Sequence, residues 1–98
     1  MNTELKVVAR MVAAPGRAEN LVPAMETLVA QTRQEPGCIA YELFRGTDNP
    51  DVLIFVETWE SRAHWEAHMA GDAIRAFNGR IGNGNFASGE VHPLTLIA

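Results

Sequence analysis

Residues 46–59 read GTDNPDVLIFVETW, and the fold turns on how this stretch is read. Its first six residues are a dense cluster of turn formers, with Gly46, Asp48, Asn49 and Pro50 each suited to reversing a chain. The eight that follow carry apolar side chains at both parities, Leu53, Phe55 and Trp59 on one side and Val52, Ile54 and Val56 on the other. Successive strand residues point to opposite faces, so this strand requires cover on each. Helices packed on one face of a sheet supply one cover. The other is most simply a second copy of the same sheet, in a symmetric dimer.

Working outward, Cys38–Arg45 alternates Ile39, Tyr41 and Leu43 against Cys38, Ala40, Glu42 and Phe44, which makes a hairpin with residues 52–59. Before it, EPG at 35–37 ends a helix whose apolar face is Ala18, Leu21, Val22, Met25, Leu28, Val29 and Thr32. Pro23 falls inside that helix and costs a hydrogen bond unless the helix starts close before it. APG at 14–16 separates the helix from a first strand over residues 4–12, with Leu5, Val7, Ala9 and Met11 sharing one parity. Downstream, Ser61 is a suitable N-cap for RAHWEAHMA, and a break at Gly71-Asp72 leads into a second helical piece, AIRAF, ending near Asn78-Gly79. GRIGNGNFASGE at 79–90 reads as a glycine-rich loop, a flexible lid or interface segment, and Val91–Ile97 as the last strand. The order is that of a ferredoxin-like βαββαβ domain of the α+β class spanning residues 1–98: a four-stranded antiparallel sheet with helices on one face.

Composition narrows the function classes. A chain of 98 residues with 47% hydrophobic content builds one core. The formal charge is −4 with acids and bases interspersed, so no basic stripe marks it for nucleic acid or an anionic membrane. Cys38 is the sole cysteine, which excludes an internal disulfide, and MNTELKVVAR has no signal-peptide core. The run VLIFV is far short of the roughly 20 residues that span a bilayer. The expectation is a cytoplasmic protein with no membrane partner.

The chemistry-bearing residues concentrate in TWESRAHWEAHM at 58–69. His64 and His68 are spaced i, i+4 and share a helix face, so a metal would need a third ligand such as Glu57, Glu60 or His92. No HExxH pattern or cysteine cluster supports that site, and the alternative is that each histidine is a half-buried packing residue. Trp65 with Met69 four residues on reads as packing. Trp59, at the end of its strand beside the helix carrying the histidines, reads as the wall of a pocket between helix and sheet. Tyr41, Arg10 and Glu57 are polar groups on otherwise apolar strands, which either face solvent or line a site. The glycines of 79–85 follow a helix and lack the Lys of a P-loop, so neither nucleotide fingerprint is present. Cys38, without a basic neighbour in sequence, reads as a core thiol.

Three elements together carry a family resemblance: the PGR turn at 15–17, EPGCIAYEL at 35–43, and ETWESRAHWEAH at 57–68. With the sequence around them they resemble the antibiotic biosynthesis monooxygenase domain family, especially its quinol monooxygenase branch, over nearly the whole chain. The resemblance implies a dimeric α/β barrel of ferredoxin-like subunits. It also implies oxidation of a quinol or polyhydroxylated aromatic by O2 with no flavin, haem or metal cofactor. His68 and His64 match the histidines of the family stretch and Trp59 its tryptophan. This implies His68, then His64, as catalytic base or substrate anchor, and Trp59 as a stacking wall. Tyr41, Arg10 and Asn78 are assigned as polarising groups for the substrate. Haem-degrading relatives place an asparagine on the first strand and a histidine after the second helix, where Ala9-Arg10 and Asn78 stand here, so haem degradation is disfavoured. Other relatives isomerise small phosphorylated or lactone metabolites, and a metabolite isomerase or a non-catalytic ligand-binding protein is the alternative reading.

Overall fold

In the computed structural model, which describes residues 2–98, the chain runs β1 (Leu5–Ala13), α1 (Ala18–Thr32), β2 (Cys38–Arg45), β3 (Val52–Trp59), α2 (Arg62–Met69), α3 (Asp72–Ile81) and β4 (Phe86–Leu94). The strands form one antiparallel sheet in the order β2-β3-β1-β4, with the helices on one face, which is the ferredoxin-like arrangement. The turn at 46–51 closes the β2–β3 hairpin as its residue types require. Gly46 N–H donates to the Val52 carbonyl at 2.8 Å, and Val52 N–H donates to that of Asn49 at 3.1 Å.

Parity sets which side chains reach the core. Val7, Ala9 and Ala13 of β1 and Leu53, Phe55, Glu57 and Trp59 of β3 are buried beneath the helices, with Trp59 fully so. From α1, Leu21, Met25, Leu28 and Thr32 press onto them at the expected 3.6-residue period. The opposite face of the sheet carries Val8, Val12, Val52, Ile54 and Val56, all half-buried, and Phe44, which is 52% exposed.

Ile39 departs from the alternation expected for β2. It shares a sequence parity with Tyr41, yet it is exposed, because the register against β3 shifts between Cys38 and Ala40. Such a bulge inserts one residue, so Cys38 keeps contact with the core on one side of it and Tyr41 on the other.

The C-terminal half differs in its boundaries. α3 runs past Asn78-Gly79 to Ile81 and ends at Gly82, whose φ of 61° suits glycine. β4 starts at Phe86, five residues before the expected Val91, and stops at Leu94, leaving Leu96 and Ile97 exposed. Residues 86–90 are therefore strand, paired to Ala13 through Arg10 of β1, and only 82–85 remain as loop. Gly89 hides the strand signal and has a packing reason: a Cβ there would lie 2.9 Å from Met11 Sδ. Pro93 is accommodated because β4 is an edge strand.

The break at Gly71 divides the second helical region as expected, and Ser61 caps α2, its Oγ accepting from His64 N–H at 3.3 Å. Pro23 lies six residues into α1, which begins without a side-chain cap at Arg17. No helix among the described residues is long and apolar enough to cross a membrane.

Candidate functional site

A cavity of about 130 Å³ opens between α1, α2 and α3 and the strands, with Gly71 separating α2 from α3. Its walls are mostly apolar, with Met11, Leu28, Phe55 and Phe77 among them, and its polar groups are Tyr41, Glu57, His68 and Asn78. A small apolar enclosure with a few convergent polar groups is the usual form of a small-molecule site.

His68 is the most constrained of these groups. Its side chain is 1% exposed, and Nδ1 lies 2.8 Å from Oε1 of Glu35, at the end of the loop after α1. Nε2 is buried and has no hydrogen-bond partner. With Nδ1–H donating to the carboxylate, Nε2 carries the lone pair, and the imidazole is neutral, unpaired and basic at that atom. Burial holds His68 below the ordinary imidazole value, and the Glu35 carboxylate opposes that shift less strongly. Trp59 stacks on the His68 ring at 4.8 Å and 32°, and Tyr41 approaches it edge-on at 5.4 Å.

Glu57 is the second buried ionisable group, 3% exposed and facing inward because it has the parity of Phe55 and Trp59. Its Oε1 accepts from the Trp59 indole N–H at 2.9 Å. Burial pushes its carboxyl up to about 7, and the Trp59 hydrogen bond only partly offsets this. Tyr41, paired with Glu57 across β2 and β3, is held far above the usual phenol value by burial and by the Glu57 charge.

The candidates named from the sequence thus separate. His68, Tyr41 and Asn78 line one cavity. Trp59 lies behind two of its polar groups, holding Glu57 by a hydrogen bond and His68 by stacking. Arg10 is on the other face of the sheet, exposed, because Val7 and Ala9 take the inward parity of β1. His64 sits apart from the cavity, its ring packed over Gly37 and its Nδ1 2.7 Å from Ser61 Oγ. Since His64 turns to Ser61 and His68 to Glu35, the i, i+4 pair does not converge. Among the described residues no group of three His, Cys, Asp or Glu side chains could hold a metal ion. Trp65 is half-buried with Arg62 over its ring at 5.4 Å, while Met69 is 40% exposed and also touches the cavity. Cys38 is only partly buried, and burial raises its thiol.

Glu35 was not singled out from the sequence, and Glu57 was raised there only as a polar strand residue or a third metal ligand, with no role assigned to it. A carboxylate at the parity of Leu53, Phe55 and Trp59 is a legible signal for Glu57. Glu35 stands in a turn, where no periodicity points at a partner.

Comparison with known proteins agrees with this fold. Residues 5–80 match the family model described as antibiotic biosynthesis monooxygenase. The protein SO0527 from Shewanella oneidensis superposes with a TM-score of 0.87 at 31% identity, over 96% of this chain and 91% of that one. A structure named antibiotic biosynthesis monooxygenase gives 0.86 at 31% identity, over 96% and 99% of the two chains. A stretch of 55 residues is 29% identical to the uncharacterized protein sll1783 of Synechocystis, covering 56% of this chain but 37% of that protein's length. The match spans most of β1 to α3, the elements that build the cavity, and the chain belongs to the antibiotic biosynthesis monooxygenase family.

Proposed function

We propose that this protein is a cofactor-independent monooxygenase that oxidises a quinol or polyhydroxylated aromatic with O2, using His68 as the general base. One observation carries the reading: the buried, unpartnered Nε2 of His68, a residue that lines the cavity between the helices and the sheet, with Nδ1 committed to Glu35. A phenolic hydroxyl delivered to Nε2 loses its proton there, and the Glu35 carboxylate stabilises the imidazolium that forms. The resulting anion sits among apolar walls, poorly solvated and electron-rich, and is itself the reductant of O2. For a hydroquinone the balance is complete. One ring C–H becomes C–OH, both phenolic hydroxyls become carbonyls, and the second oxygen atom leaves as water.

The reading includes a symmetric dimer built on the outer face of the sheet. Phe44, Ile54 and Val56 leave an apolar surface there that no element of the same chain covers, and a twofold copy would bury it.

The test is O2 uptake by metal-free protein on addition of a panel of hydroquinones, naphthoquinols such as menadiol, and anthrone-type polyphenols. Uptake above autoxidation that is lost in His68→Ala supports the proposal. Binding without uptake across the panel would make the protein a ligand carrier on the same scaffold.

A further inference from the structure

With His68 as the base, the other polar groups of the cavity are Tyr41, Glu57 and Asn78, and of these only Glu57 is a carboxyl. Glu57 is buried as deeply as the aromatic residues beside it, and no Lys or Arg lines the cavity to neutralise it. One of its oxygens is held by Trp59. The titratable groups near it are Tyr41 and Cys38 of β2, both of which its charge raises, and His68 of α2 lines the same cavity; its β1 neighbour is Val7, and α3 contributes the neutral Asn78. Burial without a countercharge favours the protonated acid, which can both donate and accept a hydrogen bond.

We infer that Glu57 is the second substrate-binding group, a buried carboxyl that hydrogen-bonds the far oxygen of an uncharged, single-ring dihydroxyarene whose near hydroxyl meets His68 Nε2. The inference rests on the reading of His68 as the base that receives the near hydroxyl. Three observations lead to it. Four polar groups, Tyr41, Glu57, His68 and Asn78, line a space that is otherwise mostly apolar, and Glu57 on β3 and His68 on α2 are its buried acid and base, which fits a flat ring carrying two oxygens. The volume of about 130 Å³ is close to the roughly 150 Å³ of an apolar protein cavity that holds benzene. The missing cation disfavours carboxylated or phosphorylated ligands, whose charge would be buried beside a carboxyl.

Anaerobic calorimetric titration of the wild-type chain with benzene-1,4-diol, phenol, naphthalene-1,4-diol and 2,5-dihydroxybenzoate tests this without relying on turnover. The diol binds about tenfold or more tightly than phenol, since phenol leaves the Glu57 carboxyl unpaired. The naphthalenediol and the dihydroxybenzoate bind at least about tenfold more weakly than the diol, by size and by charge. Glu57→Gln, which keeps a donor and an acceptor, holds the diol within about threefold, while Glu57→Leu brings the diol and phenol to similar affinity. Equal affinities for the diol and phenol in the wild type, or tighter binding of the naphthalenediol, overturn the inference. O2 uptake separates this from the broader reading. Turnover of naphthoquinols alone removes the single-ring assignment and leaves the oxygenase, whereas the expected binding series with no uptake removes the oxygenase and leaves Glu57 as a ligand.

Discussion

Nδ1 of His68 and Oε1 of Glu35 lie 2.8 Å apart, a contact between side chains 33 residues apart in sequence that joins the loop after α1 to the last turn of α2. The pair orients the imidazole and places a carboxylate where positive charge develops when Nε2 takes a proton. On the proposed mechanism, His68→Ala lowers kcat by about 10² to 10⁴. Glu35→Gln keeps an acceptor but removes the charge, a loss of about 1.5–3 kcal/mol or roughly 10- to 100-fold. A purely structural Glu35 would leave the pH profile in place. As positioning residue it opposes the burial shift of His68, so Glu35→Gln moves the acid limb of kcat/KM to lower pH. An oxygen electrode across pH 5 to 8 measures both effects.

His64, the other histidine of the family stretch, is expected to matter for stability alone. A Cβ on Gly37 would meet the His64 ring at 2.2 Å, and Gly37 has a φ of 81°. Gly37→Ala therefore costs the left-handed backbone penalty of about 1–2 kcal/mol plus the clash. His64→Ala removes the ring but keeps its Cβ, 2.6 Å from the new one, so only the ring's share of the clash is relieved, and urea denaturation of the double-mutant cycle reads that share as a coupling of about 0.5 kcal/mol or more. Oxygen uptake by His64→Ala stays within about threefold of wild type.

Much of this architecture was legible because burial on a sheet has period two. The apolar parities of 52–59 placed Leu53, Phe55 and Trp59 under the helices, and Ser61 and Gly71 marked where helices begin. Ile39 was misplaced because a bulge rephases the pleat without changing residue type. The start of β4 was hidden by Gly89, which is a strand residue only because Met11 lies over it. Of the residues lining the cavity, His68 was named through its helix spacing and the family stretch, and Tyr41 as a polar residue on an apolar strand. Arg10 follows the outward parity of the same rule and was drawn into the site only as a polar residue on an apolar strand. Glu35 escaped because a turn fixes backbone direction and leaves the side chain's partner to tertiary packing.

The uncovered sheet face sets a third expectation. Ile54 and Val56 sit at alternating positions of a central strand and are only half-buried in one chain. Replacing Ile54 by Lys puts a charge in the middle of the proposed twofold contact, where its partner copy brings a like charge. Light scattering of wild-type protein should give twice the chain mass, and Ile54→Lys should give the chain mass. A wild-type monomer at tens of micromolar would exclude the dimer.

The two buried ionisable groups of the cavity pull stability in opposite directions with pH. Glu57 has its usual value of 4.5 in the unfolded chain and about 7 in the fold, so between those values the folded state binds more protons. Its contribution is present below pH 4.5 and is lost as pH rises toward 7, about 3 kcal/mol in all. His68 behaves conversely: burial lowers it from 6.5, the unfolded chain binds more protons below that value, and stability falls as pH drops. In the wild type the two slopes partly cancel. Glu57→Gln removes only the first, because the amide cannot ionise and still accepts from Trp59. The variant should therefore match wild type near pH 4.5 and exceed its stability by about 3 kcal/mol at pH 8, read from urea denaturation at four or five pH values. A stability difference that stays constant over that range would mean that Glu57 titrates in the fold as it does in the unfolded chain and is ionised near neutral pH, which would also remove the neutral carboxyl from the binding site.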